Sequence, residues 1–312
     1  MHKRLLIGLM TLILALCLSG CWNYRSLDQV NIVVGIAIDF DENTDTFDVI
    51  YETANLAAAE RRSKITGKIT HAPGKTLFAA ARDAKRREED RLFFGGSHVL
   101  IISQKLAREE GILPIIEWFL RDGECRESIC VAISQEDTAS SILEGQEETK
   151  GIISIALHDI IKEDKDITGS STNTQLFQLY NSLYSARKSA ILPALHKVKN
   201  GEKEVVESNG LAIIKEDRLA GFLSPEQSRY VLMIENKLGG GIFTLSMKDM
   251  PGDDISLEIF GSKTKKTFTY EQGKVTVHIE TETNVALAEN RSHLDSTDKQ
   301  VIKLIENKAA RM

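Results

Sequence analysis

Several residue types and patterns are scarce here, and each scarcity excludes a class of protein. Only four cysteines occur in 312 residues, too few for a disulfide-dense scaffold, and the chain is long enough to bury a core without staples. The seven histidines are scattered, no two of them at the i, i+4 helical spacing that often serves zinc. There is no excess of positive charge, with 39 Lys plus Arg against 45 Asp plus Glu, so phosphate neutralisation cannot drive binding to nucleic acid. No Cys-x-x-Cys pair, nucleophile elbow or dinucleotide-binding loop is found. At 42% hydrophobic and 27% charged residues the chain is neither a disordered polymer nor a polytopic membrane protein. Its length suggests about two domains.

What is present begins at the N-terminus. Met1-His2-Lys3-Arg4 is a short basic start, followed by an uncharged run from Leu5 to Leu18. That run is too short to span a bilayer comfortably and fits the apolar region of a signal peptide. It ends Leu18-Ser19-Gly20-Cys21, the pattern of a bacterial lipobox. Small residues fit the protease cleft, and the Cys21 thiol accepts a diacylglycerol. Cleavage between Gly20 and Cys21 is expected, with residues 1–20 as leader and Cys21 lipidated on sulfur and on its new amino group. Two acyl chains or more hold a protein stably at a membrane, where one does not. The leader is basic, so the mature chain is more acidic than the formal −6, and docking through a basic patch on anionic lipid is not expected. Membrane lipid, held through Cys21, is the first expected partner, and the compartment is extracytoplasmic.

Residues 21–29 read as a tether. Val30–Asp39 is a buried strand, and Phe47, Val49, Tyr51 and Thr53 alternate as its hairpin partner. Thr76–Glu89 is helical, and Leu92–Ile102 is a strand broken at Gly95-Gly96. Ile112, Ile115, Ile116, Phe119 and Leu120 form a core-facing helical stripe, with Pro114 in the first turn, where it costs little. Glu127–Ile133 is a strand, and helices follow near 138–143, 152–162 and 173–184. The polar, charged stretch Lys197–Glu207 is expected to separate a domain at 30–198 from a second at 199–312. Beyond it come short strands, Ser224-Pro225-Glu226-Gln227 as a helix start with a capping box, strands near 242–247, 255–259 and 275–287, and a final helix capped by Asp295 or Ser296. The fold class is mixed α+β: an N-terminal α/β domain with a mixed sheet and packed helices, then a strand-rich C-terminal region. That region is expected to be incomplete, because nothing follows to cover the last helix.

Candidate chemistry is thin. Asp39, Asp41 and Asn43 match the start of a calcium loop, but Thr44 and Ile50 stand where glycine and a carboxylate are required; a turn accounts for the composition. Gly239-Gly240-Gly241 lacks the following Lys-Ser/Thr of a phosphate loop. His98 has no paired nucleophile. Cys125 and Cys130 read as unreactive thiols, a disulfide being the lesser alternative. No catalytic residue, metal or cofactor is expected, and so no enzyme.

The order of motifs resembles the Ger(x)C lipoproteins, the C subunits of spore-germination nutrient receptors in endospore-forming Firmicutes. The resemblance rests on Gly20-Cys21-Trp22-Asn23-Tyr24-Arg25-Ser26-Leu27, Val34-Gly35-Ile36-Ala37-Ile38-Asp39, Ser97-His98 before a strand, Arg121-Asp122, Leu192-Pro193, and Gly210-Leu211-Ala212-Ile213-Ile214-Lys215 with Gly221-Phe222-Leu223. The family usually has Asp where Asn23 stands, and it continues beyond the last helix. The resemblance implies a non-enzymatic, lipid-anchored subunit on the outer face of the spore inner membrane, assembled with integral-membrane A and B subunits. The competing class is the substrate-binding lipoprotein of an import system, which wants two similar lobes; the two halves here are unlike. A surface hydrolase lacks any constellation for its chemistry.

Overall fold

The computed structural model describes residues 2–17, 30–55, 65–144, 151–247, 253–292 and 294–312. Apart from an N-terminal helix α1 (His2–Cys17), they form one large mixed sheet covered by helices on both faces, and a smaller antiparallel sheet beside it.

The large sheet is laid out β3-β2-β1-β5-β6-β7-β8-β9, with a short strand β4 (Arg91–Phe93) pairing with the start of β1. Its centre is parallel: β1 (Val30–Asp41), β5 (Val99–Ser103), β6 (Cys130–Ser134) and β7 (Ser189–Asn200). Hairpins flank it, β2 (Thr46–Ala54) and β3 (Gly67–Gly74) on one side, β8 (Lys203–Lys215) and β9 (Arg218–Leu223) on the other. The central strands are continuous apolar runs because both faces are covered. Ile36, Ile38, Leu100, Ile102, Val131 and Ile133 face α2 (Leu77–Ala84), α3 (Gln104–Glu109), α4 (Leu113–Arg121) and α7 (Leu176–Tyr184). Their neighbours Ala37, Val99, Ile101 and Ala132 face α5 (Ser140–Leu143) and α6 (Ile153–Ile167). Each fully buried isoleucine contributes about 2 kcal/mol.

The apolar stripe of α4 behaves as its spacing requires, with Ile115, Ile116 and Phe119 buried. The expected break at Gly95-Gly96 is a single 3₁₀ turn over Phe94–Gly96, which sets β4 and β5 at different heights along β1.

The polar stretch 197–207 is not a linker. Lys197 pairs with Val206 and Val198 with Val205, so it is the β7–β8 hairpin, turning through Gly201 at φ 67°. The large sheet therefore runs on past residue 199. The stretch carries the charge of a linker because the outer part of this hairpin, from Lys199 to Glu204, is exposed.

The second sheet joins β10 (Ile242–Ser246), β11 (Asp254–Glu271) and β12 (Lys274–Asn290). Helix α8 (Pro225–Ile234) starts with the expected reciprocal capping box between Ser224 and Gln227. The last helix, α9 (Lys299–Ala309), is capped by Asp298, not by Asp295 or Ser296. Asp295 instead binds the N–H and hydroxyl of Thr297 just upstream. Ile305 of α9 is buried with Phe243, Leu245 and Ile255, and Val301 is partly covered, while Ile302 and Leu304 stay exposed.

Candidate functional site

The residues assigned to cleavage and lipidation, Gly20 and Cys21, lie outside the described residues. No helix among the described residues is long and apolar enough to cross a membrane.

The Asp39–Asn43 segment divides its duties. Asp41 accepts the Asn43 N–H at 2.9 Å and the Thr44 hydroxyl at 2.9 Å, closing the β1–β2 turn. The Asn43 N–H bond is the main reason its carboxyl lies below the usual range. Asp39 points the other way, into the protein, and accepts the N–H groups of Ala139 at 2.6 Å and Ser140 at 3.0 Å at the start of α5. Burial outweighs those bonds and raises its carboxyl above the ordinary value. The two carboxylates cannot share a cation. Among the described residues no group of three or more His, Cys, Asp or Glu could hold a metal ion.

Two further carboxylates are buried and hydrogen-bonded, and sequence reading missed both. Glu52, on β2 and 1% exposed, accepts the N–H groups of Ile153 at 2.8 Å and Ser154 at 2.7 Å, together with the Ser154 hydroxyl, at the start of α6. Gly35 on β1 makes room for that serine; a Cβ there would collide with it. Glu88 gathers Asn31 and Lys68, each at 2.9 Å, and the Thr70 hydroxyl. Alternation along β2 hid Glu52: it shares a face with Asp48 and Ile50, opposite Phe47, Val49, Tyr51 and Thr53, and is buried because α6 covers that face as well.

His98 is half-buried, its ring 5.5 Å from that of His158 on α6. Burial first, then the neighbouring imidazole, lowers its pKa. The Asp159 carboxylate lies 3.5 Å from His158 Nδ1, and among the described residues no nucleophile is hydrogen-bonded to either ring. Cys125 and Cys130 are both free. Burial, chiefly, pushes each thiol up to about 12, the opposite of an activated cysteine. At Gly239–Gly241 the chain runs against the end of α6, and a Cβ on Gly240 would strike the Asp166 carbonyl. The triplet serves close packing, not phosphate.

A concavity of about 1280 Å³ lies between α7, the end of α8 and the β11–β12 ribbon. One wall is polar, with Asn173, Gln178 and Asn181, and the other carries Ile234, Phe268 and Val277. Of its charged residues, Glu235 at the end of α8 holds Lys266 at 2.8 Å and Arg187 at 3.4 Å, and its carboxyl is lowered first by the Lys266 bond. The Asn173 Oδ1 is buried without a hydrogen-bond partner. The cleft offers amides, hydroxyls, one ion-pair cluster and an apolar wall.

Comparison with known proteins accounts for nearly the whole chain. Residues 23–197 match the spore germination protein N-terminal domain, and residues 209–312 match the spore germination B3/GerAC-like C-terminal domain. Spore germination protein B3 of Bacillus subtilis (strain 168) is 27% identical over 95% of this chain and 78% of its own length. Spore germination protein A3 of the same organism is 25% identical over 84% of this chain and 68% of its own length. Spore germination protein KC is 20% identical over 98% of the chain and 80% of its own length. The crystal structure of the GerBC protein covers 89% of this chain, and the chain 78% of it, with a TM-score of 0.51 at 20% identity; the fold is shared. With both domain models matching in order, the chain belongs to the GerAC-like family of spore germination proteins.

Proposed function

We propose that this protein is a lipid-anchored, non-catalytic subunit of a spore nutrient germinant receptor, needed for the response to germinants. In this reading the leader ends at Gly20, Cys21 carries the acyl chains, and the folded part stands on the outer face of the spore inner membrane. There it assembles with the receptor's integral-membrane A and B subunits. The observation that carries the reading is the family match from residue 23 onwards, directly behind Leu18-Ser19-Gly20-Cys21.

Replacing the native gene by a Cys21→Ala variant tests this. Spores carrying it are expected to lose the protein from the membrane fraction and to respond poorly to one class of germinant, with nutrient uptake unchanged. Full membrane attachment and a normal germination response would refute the anchor. A loss of uptake with germination intact would favour the import-system reading.

A further inference from the structure

The dipeptide Asn-Gly occurs twice in the chain, at Asn200-Gly201 and Asn209-Gly210. In this pair the backbone nitrogen of the glycine can close a five-membered ring on the asparagine Cγ. Glycine has no Cβ to obstruct the approach and the widest choice of backbone angles. Ring closure still requires two freedoms that a fold controls. The asparagine side chain must rotate, and the peptide unit after it must turn out of extended geometry. The two copies differ in both.

Asn200 ends β7 and pairs with Lys203, so Gly201-Glu202 is the two-residue loop of the β7–β8 hairpin. Gly201, at φ 67°, holds the first central position, where a loop of this kind favours glycine. Every residue from Lys199 to Glu204 is exposed. A Cβ built on Gly201 would meet nothing within 4 Å. A ribbon tip in open space unpairs at little cost, because no packing is lost when it does.

Asn209 and Gly210 lie at a bulge in β8, opposite Ala194 of β7, with ladder pairs on either side at Ser208 and Leu211. The Asn209 side-chain amide donates to Gln135 Oε1 at 2.9 Å. Gly210 is buried, and a Cβ on it would strike the Leu223 carbonyl of β9. Turning this peptide unit means parting β8 from its neighbours.

We propose that Asn200 is a site of spontaneous deamidation in the native protein, and that the fold shields Asn209 from the same reaction. Hydroxide takes the proton from the Gly201 N–H, and the nitrogen forms a bond to Cγ of Asn200. The Cγ–Nδ2 bond breaks, and water returns a proton to the departing ammonia. A second water then opens the ring. Cleavage of the new N–Cγ bond gives aspartate. Cleavage at the main-chain carbonyl gives isoaspartate, in which the backbone runs through Cβ and Cγ. In sum, one amide and one water become a carboxylate and ammonium, with no change of oxidation state. Either product adds a negative charge at the hairpin tip. Isoaspartate also lengthens the main chain by a carbon where Asn200 pairs with Lys203, so that pair is lost, while Lys197 and Val206, further in, stay paired.

The test follows both asparagines in the full chain, kept in non-ionic detergent at 37 °C and pH 8 for several weeks. Peptide mass spectrometry reads the exchange of amide for acid at each site, and an isoaspartate-specific methyltransferase counts the isomer. Asn200 should convert at least about a hundredfold faster than Asn209, since a reaction through a rapidly opening state follows the population of that state. In urea, where neither site is held, the two should convert at similar rates. Native conversion of Asn200 should slow by about tenfold or more from pH 8 to pH 6, because the nucleophile is the deprotonated nitrogen. Asn200→Gln, an exposed and conservative change, should abolish the isoaspartate formed at the tip. Native protein in which Asn200 stays intact while the chain in urea is converted would overturn the proposal. So would equal conversion of Asn200 and Asn209 in the folded state, or an isoaspartate yield that Asn200→Gln leaves unchanged.

Discussion

Glu52 is expected to be among the most sensitive polar positions in the protein. Its carboxylate lies inside, 1% exposed, and accepts two backbone N–H groups from the first turn of α6 as well as the Ser154 hydroxyl. Those N–H groups have no partner within the helix, and the positive end of the helix dipole favours the charge. Glu52→Ala leaves three donors facing a small cavity. An orphaned buried donor costs about 1–3 kcal/mol, and water entering the cavity returns part of that, so a loss of about 3–5 kcal/mol is expected. For a chain of this size that corresponds to a fall in Tm of roughly 10 °C. Glu52→Gln keeps one acceptor oxygen but turns an amide N–H₂ towards donors, and about 1–2 kcal/mol should be lost. Urea unfolding of parent and both variants measures this, and a double-mutant cycle with Ser154→Ala should return a coupling of about 1 kcal/mol. If the alanine variant unfolds within about 1 kcal/mol of the parent, the carboxylate is not holding the helix and the reasoning fails.

Ser224→Ala removes the hydroxyl that accepts the Gln227 N–H in the α8 capping box; a loss of about 1 kcal/mol is expected in the same urea assay. The thiols of Cys125 and Cys130, pushed up to about 12 chiefly by burial, should resist iodoacetamide at pH 8 in the native protein and react once it is unfolded; fast native labelling of Cys130 would contradict its burial. Asp39 supplies a pH test, because burial holds its carboxyl above 3.8 in the folded state. As pH rises above 3.8 the unfolded chain ionises first, so this group costs stability up to its raised folded value and no more beyond it. Between pH 4 and pH 7 the parent should therefore lose stability relative to Asp39→Asn, and an unchanged difference between the two would exclude the linkage.

The amino-acid sequence by itself determined the parts of this protein whose cause is local. The runs at 32–38 and 99–102 carry no polar side chain because both faces of a central strand are covered. The stripe of α4 and the capping box of α8 are written in neighbouring residues and fold as written. The edge strand β3 escaped notice because its strand signal is weak, with Pro73 and Gly74 at its end, and an edge strand can spare the ladder bond that proline lacks. The outer half of β11, with Lys263, Lys265 and Lys266, likewise looks like a loop in composition and is a strand because β12 pairs with it along its length.

Tertiary structure alone decided the rest. Glu52 finds its partners 102 residues away, at Ser154, and Asp39 caps a helix 100 residues on. The imidazoles of His98 and His158 meet only because α6 crosses the sheet. The stretch at 197–207, linker-like in charge, became a hairpin because β7 and β8 had complementary strands to offer each other. Periodicity records how much of a residue is buried, since burial depends on the face it occupies. It carries no record of which distant group shares that burial, and for a carboxylate, a histidine or a strand edge that partner decides the role.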